Sequence, residues 1–207
     1  DLTSATSWEN WSFEGSWNAT NTFTSVTNPA PGAEATDKVL KLTRDNWEGN
    51  AYATVSFQPL TGKVVLEEEF YIAGEKTYYS YLPEVQDSSG NSAMVAMVHG
   101  DQFMIHNANG AASSVGTVKL NDWNTLKVIM DTDKKIFTVE LNGTEVVKDN
   151  AYFVQADQPG TNKATNVGRL RFLTRAENGF STDFYFNNLK VYREKSSTAL
   201  ISSEVYN

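Results

Sequence analysis

The chain contains no cysteine, so it can form no disulfide, no thiolate metal site and no cysteine nucleophile. That absence favours a bacterial exoprotein over a disulfide-rich animal extracellular domain. Histidine is nearly as scarce, with His99 and His106 alone and no closely spaced pair to hold zinc. Basic residues number 17 against 25 acidic ones, a formal charge of −8, and no cluster of lysine and arginine forms, so nucleic acid and an anionic membrane are poor partners. No apolar run approaches the ~20 residues of a membrane helix. The opening DLTSATSWENW has neither a basic n-region nor an apolar h-region, which points to a start after a removed signal peptide or at a boundary within a longer chain. No G-x-S-x-G occurs, and no G-x-G-x-x-G follows a strand. No run of twelve or more residues holds a convincing helical period. The best helix candidates are the turn-rich stretches around Ala111 and Asn150.

What remains is β structure. Leu126, Val128 and Met130 alternate on one face of a segment, Phe137, Val139 and Leu141 on one face of the next, with the polar turn Asp131 to Lys135 between them. Asn142-Gly143 follows, a pair that accepts positive φ at both central positions of a type I′ connection. The spacing predicts a three-strand meander ending near Val147. Further strands are expected at Asp37 to Leu42, Tyr52 to Phe57, Gly62 to Ile72, Thr77 to Val85, Ser92 to His99, Gln102 to His106, Gly168 to Thr174 and Phe184 to Tyr192. Polar loops containing Pro and Gly are expected at Ser16 to Thr36 and Gln155 to Asn166. Neither is an interdomain linker, and no internal repeat is present. The 207 residues therefore read as one all-β domain, 1–207, with 196–207 a polar tail or the start of a linker. About twelve short antiparallel strands predict two curved sheets packed face to face, a jelly-roll sandwich. Sequons at Asn10, Asn18 and Asn142 carry little weight in a chain so rich in Asn, Ser and Thr.

Three segments carry a family resemblance. Asp37-Lys-Val-Leu-Lys-Leu42 resembles an early "nkvLkl" strand. Asp122-Trp123, Leu126 to Met130 and the Phe137 to Gly143 hairpin resemble a "g-W-h-x-l-k-i … y-x-v-x-v-n-G" meander, and Phe184 to Val191 resembles a closing "f-y-f-D-N-v-k-V" strand. The chain is similar to the concanavalin A-like lectin/glucanase group, and within it to laminin-G-like and carbohydrate-binding jelly rolls of bacterial polysaccharide-degrading enzymes. These elements identify a fold and no ligand. The Trp11 to Trp17 stretch resembles the "FE-x-G-x-x-x-W" opening of some glycan-binding modules, in which a Glu and a closing-strand Asp hold structural calcium. The resemblance implies Ca2+ at Glu14, with Asn187 in the Asp position and Asp183 as its replacement.

Two surfaces are candidates for a ligand. In one strand Arg169, Arg171 and Arg175 share a face with Leu173; in another Glu67 and Glu69 share a face with Val65 and Tyr71, opposite Val64, Leu66, Glu68 and Phe70. Cross-strand ion pairing is the simpler account of both. As a ligand surface, the arginine forks would grip carboxylates or vicinal hydroxyls in two places at once. The second surface is aromatic, with Tyr79 and Tyr81 on one face of a strand and Trp47 in the polar loop Trp47-Glu-Gly-Asn50, because flat rings stack on the C–H faces of sugars.

Catalysis is the competing expectation. A hydrolase E-x-D-x-x-E strand led by Glu67 would need its second acid at Ile72, although Glu67 and Glu69 do make a carboxylate pair on one face. Lyases of this fold neutralise a uronate with Arg, Gln or Asn and move a proton with Tyr or His. Arg171, Tyr79, His99 and His106 are the right types, but the stretches R-x-E-x-R, Q-I-H and Y-x-K-x-G-x-Y are missing. The expectation is a secreted or cell-surface, bacterial, non-catalytic module that binds a polysaccharide, as a monomer or as one module of a larger chain. A lyase or hydrolase on the same fold is the alternative, and a laminin-G-like adhesion module the second.

Overall fold

A computed structural model describes residues 11–15, 21–44, 50–74, 77–153, 162–175 and 183–194. Trp47, the sequons at Asn10 and Asn18 and the tail 196–207 lie outside the described residues. Fourteen strands make two antiparallel seven-stranded sheets, and no helix occurs among the described residues. The first sheet runs in the order β1 (Trp11–Gly15), β4 (Asn50–Leu60), β13 (Val167–Arg175), β6 (Thr77–Gln86), β7 (Ser92–Gly100), β8 (Gln102–His106) and β9 (Ala112–Thr117). The second runs β12 (Thr144–Ala151), β11 (Ile136–Leu141), β10 (Trp123–Asp131), β5 (Lys63–Ala73), β14 (Asp183–Arg193), β3 (Lys38–Arg44) and β2 (Asn21–Thr27). This is the expected all-β jelly-roll sandwich.

The meander forms as its alternation dictates. Leu126 pairs with Leu141, Val128 with Val139 and Met130 with Phe137, and all six are buried. Asn142 and Gly143 take φ of 51° and 76°, the two positive values a type I′ turn requires. The Asn142 amide ties the turn back to β10, accepting from the Thr125 N–H and donating to Asn124 Oδ1. Between the sheets, Phe172 of β13 meets Phe186 of β14 with ring centroids 4.6 Å apart, one of the contacts that joins the two layers. A fully buried side chain of this kind contributes roughly 1.5–3 kcal/mol.

Three expectations are corrected. The predicted loop Ser16 to Thr36 contains β2, a strand at the sheet edge that pairs only with β3 and leaves Thr24, Ser25 and Thr27 exposed. The helix candidate at Ala111 is instead the turn from Asn107 to Gly110 leading into the edge strand β9, closed by a bond from the Asn107 N–H to the Ala111 carbonyl. The one at Asn150 is the end of β12, where Asp149 has φ of 47° and the pairing with β11 is irregular. Edge strands bury too little of either face to show the period of two on which the prediction relied.

Candidate functional site

Cross-strand register places side chains in rows across the outward face of the first sheet, the face turned away from the core. One row runs Ser56, Arg169, Gln86 and Ser92. The next runs Thr54, Arg171, Glu84 and Val95, and the third Tyr52, Leu173, Tyr81, Met97 and Met104. Outward strand residues are ordinarily solvated. Here Leu173 is 0 % exposed, Gln86 4 % and Glu84 6 %, so the face is recessed.

Its polar groups are only partly satisfied. The Arg171 guanidinium lies 3.7 Å from the centroid of the Tyr52 ring and 3.6 Å from Glu84 Oε2. Glu84 Oε1 accepts from Gln86 Nε2 at 3.0 Å and from the Ser92 hydroxyl. His106 Nδ1 donates to the Gly110 carbonyl at 3.1 Å, which leaves Nε2 as the acceptor of the neutral ring. That ring packs edge-on against Phe153 at 5.3 Å and Tyr81 at 6.3 Å. Arg169 Nε, Gln86 Oε1 and His106 Nε2 are buried and have no hydrogen-bond partner in the protein. Buried polar atoms are nearly always paired, so these three, with His99 Nδ1 as a fourth at the sheet end, mark groups arranged for something other than the fold itself. At the sheet end Tyr79 stacks on His99 at 4.0 Å with 8° between planes, and Tyr79 holds φ of 28°, a left-handed conformation that costs a non-glycine residue on the order of 1 kcal/mol.

The expected ligand residues divide between two faces. Arg169, Arg171 and Tyr81 lie together in these rows, with Tyr79 beside His99 at the end. Arg175, described in its backbone only, registers with Asn50 and Tyr78. Glu67 and Glu69 do not join them: β5 belongs to the second sheet, and both point outward on the opposite side of the sandwich. There they border a recess of about 360 Å³ with Lys127, Glu140, Asn188 and Lys190. Glu69 Oε2 accepts from Asn188 Nδ2 at 2.8 Å. Glu68 between them faces the core, 2 % exposed, with neither carboxylate oxygen partnered, and burial pushes its pKa up to about 8.

The expected calcium ligands divide in the same way. Glu14 registers opposite Tyr52 in the first sheet, whereas Asp183 and Asn187 stand in the second. Those two are four residues apart along β14, roughly 13 Å by strand rise, far beyond the span of two ligands of one ion. Asp183 Oδ2 is also ion-paired to Lys41 at 2.7 Å. Asp183 and Asn187 are therefore not ligands of one ion.

Glu84, Gln86 and Ser92 are candidate-site residues that sequence reasoning missed. Strict alternation from Tyr81 puts Glu84 and Gln86 on the opposite face. A register shift between Tyr81 and Glu84, at Leu82 and Pro83, turns them to the same one. Pro83 is the signal available in the sequence, because proline inside a strand marks a bulge or an edge.

No protein-family model matches the chain, and no curated protein matches it in sequence. Solved structures do. A sialidase superposes over 89 % of this chain and 17 % of its own length, with a TM-score of 0.65 and 10 % identity. The globular domain of T. cruzi calreticulin superposes over 93 % and 87 %, at 0.59 and 11 %. A carbohydrate-binding module from Bacillus subtilis superposes over 88 % and 94 %, at 0.50 and 15 %. Identities this low speak for architecture alone, and the architecture shared with these proteins is the two-sheet jelly roll that the strand pattern implied.

Proposed function

We propose that this chain is a secreted, non-catalytic carbohydrate-binding module that takes a polysaccharide on the outward face of its first sheet. The observation that carries the reading is the recessed row structure in which unpartnered polar atoms of Arg169, Gln86 and His106 stand beside the rings of Tyr52, Tyr81 and Phe153. A sugar ring needs both: flat apolar surface for its C–H face and fixed donors and acceptors for its hydroxyls. Support also comes from jelly-roll neighbours whose names specify a carbohydrate-binding module, a carbohydrate esterase and an exo-β-agarase. A bacterial exoprotein, as a monomer or as one module of a longer chain, fits the cysteine-free composition.

His106 supports a second reading, a polysaccharide lyase. Its unpartnered Nε2 is an acceptor of the kind that takes a proton, and it lies on the face that carries Tyr81, Arg169 and Arg171. One experiment separates the two. Affinity electrophoresis through gels containing neutral or acidic polysaccharides, run beside an absorbance assay for unsaturated uronate products, gives retention without product for a binding module. Product formation from any uronate chain replaces the module with the lyase. No retention in any gel refutes glycan binding and favours adhesion to protein.

A further inference from the structure

We propose that the glycan taken by this face is acidic, with its anionic substituent, a uronate carboxylate or a sulfate ester, seated on Arg169. The inference rests on the carbohydrate reading above and deepens it.

Arg169 and Arg171 are two residues apart on β13 and face the same way, yet their circumstances differ. Arg171 has a carboxylate, Glu84, and an aromatic ring beneath it. Arg169 has neither. The turn from Asp87 to Asn91 abuts it so closely that a Cβ on Gly90 would stand 3.1 Å from an Arg169 guanidinium nitrogen, but Asp87 is spent within that turn. Asp87 Oδ1 accepts from the N–H groups of Ser89 and Asn91, and Oδ2 from the Asn91 amide. Arg169 Nε is left buried with no acceptor, and Gln86, its register partner, presents a buried Oε1 with no donor.

An orphan guanidinium edge and an orphan carbonyl side by side define complementary chemistry. The first requires an anion with two oxygens to meet the Nε and Nη edge, and the second requires a hydroxyl. A sugar bearing an acid group next to a ring hydroxyl offers both. The charge of the face agrees. Its described charged side chains are Arg169 and Arg171 against Glu84. Among the described strand side chains of this face that leaves a single positive surplus. The chain as a whole carries −8, so general attraction to polyanions does not account for a cationic recess.

The test uses gels of polygalacturonate and alginate as uronates, dextran sulfate as the sulfate ester, dextran and laminarin as neutral chains, and carboxyl-reduced polygalacturonate. Retention is expected in an acidic gel and not in the neutral ones. Retention by a uronate assigns the carboxylate, and retention by dextran sulfate alone assigns the ester. Arg169→Gln is expected to weaken acidic-glycan binding roughly tenfold or more. Lys127→Gln, on the opposite sheet, is expected to change nothing. Should Arg169→Gln fail to fold by its melting curve, the carboxyl-reduced chain removes the same contact from the ligand side, and loss of polygalacturonate retention on reduction is the expected result. Equal retention by neutral and acidic chains, or a folded Arg169→Gln protein with unchanged affinity, overturns the seat at Arg169 while glycan binding stands. No retention in any gel overturns both.

Discussion

The outward faces of the two sheets obey the same alternation of side chains and differ in what they do with it. On the second sheet, polar side chains find each other: Lys127 lies 3.9 Å from Glu140, Lys41 2.7 Å from Asp183, and Asn188 donates to Glu69. The Lys127 and Glu140 side chains are 38 % and 33 % exposed. On the first sheet Leu173, Gln86 and Glu84 are buried although they point outward, one arginine is paired and stacked, and four polar atoms, those of Arg169, Gln86, His106 and His99, are left without partners. A strand's charged face is therefore no indication of function. The buried, unsatisfied atoms are what separate a site from an ordinary solvated surface, since the second sheet has a recess as well.

Three consecutive glutamates on β5 show the same contrast at the scale of one strand. Glu67 and Glu69 face outward, and Glu68 points into the core without a partner. The largest expected effect comes from this residue. Burial raises its pKa from 4.5 to about 8, so the folded state holds a proton that the unfolded state has released between those values. This group's contribution to stability is then fully present below about pH 4.5, falls as pH rises through the window, and is gone above about pH 8, a loss on the order of 5 kcal/mol. Denaturant melts of Glu68→Gln and the parent across that range should show the difference between the two proteins changing in the variant's favour as pH rises. A pH-independent difference would remove the account of Glu68.

Next in size is Glu84→Ala. It leaves the Arg171 guanidinium, Gln86 Nε2 and the Ser92 hydroxyl without their shared acceptor, at an expected cost of roughly 2–4 kcal/mol. Lys127→Ala, the equivalent truncation on the second sheet, should cost less than about 0.5 kcal/mol, because that pair is exposed and screened. Equal losses from the two variants would erase the distinction between the faces. Smallest of all is the effect of a chelator. With Glu14 in one sheet and Asp183 and Asn187 in the other, the melting midpoint should not move, and a shift would place calcium among other residues.

The jelly roll was legible because several signals coincided in the same residues. In the meander the positions that alternate also carry the turn chemistry, Asn142-Gly143, that joins them. Where the signals separated, legibility failed. β2 is an exposed edge and read as a loop, the turn into the edge strand β9 read as a helix candidate, and the shift at Leu82 and Pro83 hid Glu84 and Gln86 from a strict count. The site was half legible for a further reason. Alternation says which residues of one strand share a face, but which strands are neighbours is a property of the whole chain. Arg169 and Arg171 were therefore correctly grouped with each other and wrongly grouped with Glu67 and Glu69, which the topology puts on the far side of the sandwich.

The claim that the first sheet's outward face is the glycan site is tested most directly by measuring affinity for a retained polysaccharide in two variants of matched stability. Tyr81→Ala is predicted to weaken binding roughly tenfold or more through loss of ring contact, while Glu67→Gln combined with Glu69→Gln leaves it unchanged. Loss of binding in the double variant with full binding by Tyr81→Ala would contradict the account and move the site to the second sheet.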